Sequence, residues 1–279
     1  MGLRIGTGRS ATTLFAERQL SIHRARKQRS MERIASGRRI NSAADDPAGF
    51  VLSQRLEARI RSTQQARRNT YDGLSVVQIG EAALGETSGL LVRIRELAVQ
   101  SANGTLGDAE RAAIGEEAEA LLDEVDRIAQ STRFGRTRLL DGTTDLAIVS
   151  DADATDPLAV SAVDATRAAL GLGGIDLGAD QATSRSAFDA LDAAIDRVAS
   201  ERGRLGTQAN LLESRARQSL VEEENLRAAN SRIVDADMAE ETAELARAQL
   251  LEQTTIQVLV EERKQEKLIL ELLDAATEG

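Results

Sequence analysis

One histidine, His23, and no cysteine are all that 279 residues offer toward nucleophilic or soft-metal chemistry. A Ser-His-Asp triad needs an imidazole held by a carboxylate beside a serine, whereas His23 is followed by Arg24, Arg26, Lys27 and Arg29 on one amphipathic helix. Cys/His metal clusters need several such ligands and are excluded. Carboxylates are abundant, but Glu222-Glu223-Glu224 reads as a solvated helix face and Asp45-Asp46 as a helix cap, not as an acid–base pair. Gly171-Leu172-Gly173-Gly174 lacks the strand, helix and spacing of a phosphate loop. Residues 24–29 form a basic patch, yet no stacking aromatics accompany it, so nucleic acid is not an expected partner. These residues predict no catalysis, no cofactor and no metal.

The elements that carry these side chains follow from composition. Aromatic content is 2% and Trp is absent, which argues against a large globular core. Leu, Ala, Ile and Val supply most of the apolar content, and 29% of residues are charged, a mixture suited to long helices packed side by side. The charge is segregated. Residues 1–70 hold 15 Lys and Arg against 5 Asp and Glu, leaving 20 and 40 of the chain's 35 basic and 45 acidic residues for the rest. A basic head and an acidic remainder are suited to pair. No apolar run reaches the length of a membrane span, and residues 1–30 lack the apolar stretch of a secretory signal, so no membrane insertion is expected and export needs another route.

The first helix is expected from about Ser10 to Ser36, ending at Gly37. Asp46 is a natural N-cap, Pro47 fits the first helical position, and Asp45 adds negative charge beside the helix start. The helix that follows runs to about Ala102, where Asn103-Gly104 stops it, and at 1.5 Å per residue its roughly 55 residues reach about 80 Å. A rod is implied. A third helix spans about Asp108 to Gln130, with Ile114, Leu121, Leu122, Val125 and Ile128 on one face. Residues 141–180 form an irregular insert with a hairpin made of Leu146–Val149 and Leu158–Val160, with Asp156-Pro157 between them.

A fourth helix from about Thr183 carries a coiled-coil seam at Leu191, Ile195, Val198, Leu205, Leu212, Leu226 and Ile233, with Arg202, Ser219, Glu223 and Asn230 as polar interruptions. Beyond Asp235 a last helix carries Leu245, Leu250, Ile256 and Leu259. The expected fold is mainly α: an elongated antiparallel bundle whose two ends return to the same place. A generic coiled-coil scaffold fits the same periodicity, since heptads do not say what is bound.

Several motifs are more specific. The run from Ser36 through Arg38, Arg39, Ile40, Asn41, Asp45, Asp46 and Pro47 to Gly49 resembles the SGxRINSAxDDxAG signature of bacterial flagellins. Arg95 to Thr105, Phe134-Gly135 with Leu139 to Gly142, Ser231 to Ala243, and Ala246 to Leu251 are similar to further flagellin signatures. The resemblance implies a structural subunit of the bacterial flagellar filament, exported through the flagellar type III apparatus and extracellular, with itself as main partner and an export chaperone, cap and hook-junction proteins as others. Residues 1–45 and 235–279 would form the inner layer, packed through Leu14, Leu20, Met31, Ile34, Leu245, Leu250, Ile256 and Leu259. Residues 46–234 would form the outer rod, with Asp45, Asp46 and Pro47 capping the junction. The hook–filament junction proteins share similar terminal helices and are the alternative.

The resemblance also implies recognition by a host Toll-like flagellin receptor, or a protofilament contact, at Arg93, Leu97 and Glu117. Arg93 and Leu97 are four residues apart, which is expected to place them on one helix face. Where flagellins commonly carry Leu, this chain has Lys27 and Arg38.

Overall fold

The computed structural model describes residues 11–153, 155 and 157–277. Among the described residues five helices carry the fold: α1 (Ala11–Ser36), α2 (Pro47–Ser101), α3 (Asp108–Ser131), α4 (Gln181–Val234) and α5 (Met238–Thr277). Between α3 and α4 lie two antiparallel strand pairs, β1 (Arg133–Phe134) with β2 (Thr137–Arg138), and β3 (Leu146–Ile148) with β4 (Leu158–Val160). The chain divides into two compact units, one of residues 1–57 with 226–279 and one of residues 58–225.

The unit of residues 58–225 holds the apolar core. On α2 the fully buried Val77, Leu84, Leu91 and Ala98 recur every seven residues, and on α4 Leu191, Val198, Leu205 and Leu212 do the same. A seven-residue repeat keeps one seam facing a partner helix along its length. Ile114, Leu122 and Val125 of α3 join the same core. Polar pairs mark the antiparallel register of α2 and α4: Arg95 to Asp192 at 2.6 Å, Arg202 to Glu81 at 2.7 Å and Arg59 to Glu222 at 3.1 Å.

Near residues 63–70 the seam becomes polar. Thr63, Thr70, Ser219 and Glu223 are buried, and Gln64 donates to the Glu223 carboxylate at 2.8 Å while Arg67 approaches it at 3.4 Å. Glu223, read both as part of a solvated acidic face and as a polar interruption of the α4 seam, is 3% exposed; its place in the α4 repeat, four residues after Ser219, turns it toward α2.

The insert is tied down by polar groups that the sequence left unassigned. Arg111 donates to the carbonyls of Ser101, the last residue of α2, and Leu106, and Gln181 donates to that of Ala102 at 2.7 Å, while backbone amides meet the carbonyls of Ala98 and Gln100. Arg167 forks onto Glu119 at 2.6 and 2.9 Å and holds the insert to α3. The expected hairpin forms in the register Leu146 to Val160, Ala147 to Ala159 and Ile148 to Leu158, while Asp156 lies outside the described residues. The shorter β1–β2 pair was not expected, because two-residue strands around Gly135 carry no alternation to detect.

Two glycines of this unit make opposite demands. A Cβ at Gly115 would lie 2.7 Å from the backbone of Gly178, whereas one at Gly89, in the middle of α2, meets nothing within 4 Å. Gly115→Ala is expected to destabilise this unit by about 1–3 kcal/mol, because backbone must move. Gly89→Ala is expected to stabilise it by about 0.5–1 kcal/mol by removing backbone freedom from the unfolded chain. Denaturant unfolding of the two variants checks the opposed signs.

Candidate functional site in the paired terminal helices

The unit of residues 1–57 with 226–279 is built around two turns. Helix α1 ends at Ser36, and Gly37, at φ 68°, reverses the chain in the left-handed region that favours glycine. The strand-like stretch that follows pairs with the end of α4: the Arg39 amide donates to the Val234 carbonyl at 2.6 Å and the Ala236 amide to the Gly37 carbonyl at 3.0 Å. Asp45 accepts the amides of Asn41 at 3.2 Å and Ser42 at 3.0 Å, and the Ser42 amide bond first of all holds its carboxyl below the usual carboxylate range. Asp46 caps α2 by accepting the Gly49 amide at 3.0 Å, with Pro47 as the first helical residue. Gly49 leaves room for this cap, since a Cβ there would lie 2.5 Å from the Asp46 carboxylate and 2.7 Å from Ile40, and both side chains would have to shift. At the other turn Asp237 accepts the amides of Ala239 and Glu240 and caps α5.

These turns bring α1 and α5 together as an antiparallel pair. On α1 the half-buried and buried positions of one stripe are Thr13, Ala16, Leu20, His23, Lys27, Ser30 and Ile34, at alternating spacings of three and four. On α5 they are Glu241, Leu245, Ala248, Glu252, Thr255, Leu259 and Glu262, at spacings of four and three. Both are complete heptad seams, and most of their residues are polar or small. Lys27 donates to Glu252 at 2.8 Å, Arg24 reaches the same carboxylate at 3.1 Å, and Arg33 bonds Glu241 at 2.8 Å. The hydrogen bond from Lys27, then that from Arg24, holds the Glu252 carboxyl below its ordinary value. His23 is buried in this seam, and its Nδ1 has no hydrogen-bond partner among the described residues.

The eight apolar positions expected to pack this pair are divided by the structure. Leu20, Ile34, Leu245 and Leu259 lie in the seam, whereas Leu14, Met31, Leu250 and Ile256 are exposed, Leu250 at 63%. Phe15, Leu251, Val258 and Val260 join the outward set. Apolar residues counted along one helix give a stripe but not its phase, and the ion pairs turn a polar stripe inward. Along α4, Leu191, Val198, Leu205 and Leu212 are buried and Ile195, Leu226 and Ile233 half-buried.

Arg93 and Glu117 are both exposed and form a 2.7 Å ion pair between α2 and α3. Leu97 does not join them at the surface. It is 1% exposed and part of the core, because four residues advance a helix by about 40° beyond a full turn and carry the chain from the rim of the apolar stripe into it.

A mainly helical chain whose ends close on each other through a capped turn at each side is a defined class of architecture, and comparison with known proteins places it further. Residues 9–145 match the bacterial flagellin N-terminal helical region, and residues 188–273 the bacterial flagellin C-terminal helical region. A flagellin of Halalkalibacterium halodurans is 38% identical over 92% of this chain and 96% of its own. The flagellar filament 30.7 kDa core protein of Treponema maltophilum is 35% identical over 94% and 97%. The crystal structure of Bacillus cereus flagellin, 35% identical, superposes with a TM-score of 0.50 over 55% of this chain and 88% of that one. The chain belongs to the bacterial flagellin family.

The pH dependence of the seam follows from the Glu252 shift. A carboxyl whose folded pKa is depressed adds stability that is complete above its unfolded value, about 4.3, and is lost as pH falls through the folded value. Glu252→Gln is therefore expected to weaken the α1–α5 pair at pH 7 and to make progressively less difference as pH falls below the unfolded value. Helical content of assembled filaments, followed by circular dichroism as pH is lowered from 7, checks the sign.

Proposed function

We propose that this chain is the repeating structural subunit of a flagellar filament, assembling with copies of itself outside the cell. The observation that carries the proposal is the division of apolar side chains on α1 and α5. Their mutual seam is polar, while Leu14, Phe15, Met31, Leu250, Leu251, Ile256, Val258 and Val260 face outward. Two helices that bury so little apolar surface in each other scarcely offset their ordering entropy, so the outward faces need neighbours. Neighbours of the same sequence in a helical array supply them all at once. A structural rather than catalytic role follows from the same division, which places the conspicuous surface on packing faces.

Export through the flagellar type III apparatus, with a chaperone, and growth beneath a cap belong to the same reading, which marginal terminal helices support because an unpaired chain passes a narrow channel more readily than a packed one. Among the described residues no helix is long and apolar enough to cross a membrane. Removal of residues 1–20 or 260–279 is expected to abolish seeded filament growth and to leave the unit of residues 58–225 folded. Electron microscopy and circular dichroism of each truncated protein check the two halves of that expectation; normal filaments from either would rule out a paired inner layer.

Binding by a host Toll-like flagellin receptor is the further partner we propose, and the exposed Arg93–Glu117 pair supports it as a charged surface element of α2 and α3. Arg93→Ala is expected to lower the response of a receptor-bearing reporter cell severely without changing stability. Leu97→Ala should act instead through the core, costing about 2–5 kcal/mol on denaturant unfolding.

A further inference from the structure

The charges in the α1–α5 seam do more than hold two helices together. With Lys27 opposite Glu252, antiparallel pairing brings Leu20 level with Leu259, His23 with Thr255, Ser30 with Ala248 and Ile34 with Leu245. Every large apolar side chain of one seam meets one on the other in this register. A slip by one heptad destroys the match. Lys27 would then face Leu245 or Leu259, and Glu252 would face Ile34 or Leu20, leaving charge against hydrocarbon on both helices.

The charges are also divided by helix. The α1 seam carries His23 and Lys27 with Arg24 and Arg33 at its edge, and the α5 seam carries Glu241, Glu252 and Glu262. An α1 segment set against another α1, or an α5 against another α5, would bring like charges together. A C-terminal helix with an apolar side chain at the level of Lys27 would leave that half-buried ammonium without its carboxylate partner.

We infer that Arg24, Lys27 and Arg33 on α1 and Glu241 and Glu252 on α5 form a pairing code, which admits α5 of this chain's own sequence in one register and rejects C-terminal helices whose seam is apolar or basic. The partner is thus α5 of this chain itself, and the chemistry that recognises it is a carboxylate pair spaced eleven residues apart on one seam. The inference rests on the proposed role in a filament, because assembly is where a wrong pairing would be propagated.

Charge exchange tests it on the full-length protein. One variant carries Lys27→Glu with Arg24→Glu, a second carries Glu252→Lys, and a third carries all three substitutions. Seeded filament growth is followed by light scattering and electron microscopy, with protease resistance of residues 58–225 as the check on folding. Each reversal alone is expected to slow growth by at least about tenfold, and the combined exchange to recover to within about threefold of the unaltered chain. A fourth variant, Lys27→Leu with Glu252→Leu, is expected to assemble, because the two leucines face each other in the same register, whereas Lys27→Leu alone, which sets the Glu252 carboxylate against hydrocarbon, is expected to slow growth. Growth of the single reversals at the unaltered rate, or no recovery on exchange with the folded unit intact, would overturn the code while leaving the filament role in place. Failure of the unaltered chain to grow on seeds would overturn the role itself.

Discussion

The bond from Lys27 to Glu252 is the constraint on which the terminal unit depends. It turns a polar stripe of each helix toward the other and thereby turns the apolar stripe outward. Had the apolar residues met in the seam, the pair would be a self-sufficient coiled coil with a polar exterior and no reason to associate. With the charges inside, the two helices acquire register and partner choice but little burial. Polar residues at seam positions commonly exchange stability for specificity in this way.

The unit of residues 58–225 shows the complementary solution. Its seams carry Leu84, Leu91, Leu191, Leu205 and Leu212 with almost no exposure, and the insert adds Leu140, Leu172 and Leu177 to the same core. Here the polar groups cluster at helix ends and in one layer, where Arg111 satisfies the α2 carbonyls and Gln64 with Arg67 meets Glu223. One chain thus combines a unit that closes its own core with a unit that leaves apolar faces uncovered. The flagellin signatures fall largely at the turns and caps of the terminal unit: Gly37 at a left-handed turn, Asp46 and Gly49 at a closely packed cap, and Asp237 at the start of α5.

Much of this was legible in the sequence where local chemistry decides. Pro47 after Asp46, Gly37 after Ser36 and Asn103-Gly104 after Ala102 mark helix ends through backbone preference alone, and the structure places them within a residue or two. The hairpin of β3 and β4 was legible from its apolar runs. What stayed hidden depends on phase. Leu97 and Arg93 share a face by simple spacing, yet a 40° advance separates core from surface. Glu223 reads in the sequence both as one of three solvated acids and as a polar interruption of the α4 seam, and only the packing of α4 decides between the two. On α1 and α5 the eye follows Leu and Ile, although the sevenfold recurrence of Thr13, Leu20, Lys27 and Ile34, and of Glu241, Ala248, Thr255 and Glu262, already marks the seam.

The central claim is that the terminal helices complete their packing only among copies of the chain. Amide hydrogen exchange on free subunits and on assembled filaments tests it most directly. Fast exchange is expected for residues 11–36 and 238–265 in the free subunit and strong protection of the same residues after assembly, with the buried stretches of α2, α3 and α4 between residues 77 and 212 protected in both. Strong protection of the terminal segments in the free subunit, or none in the filament, would contradict it.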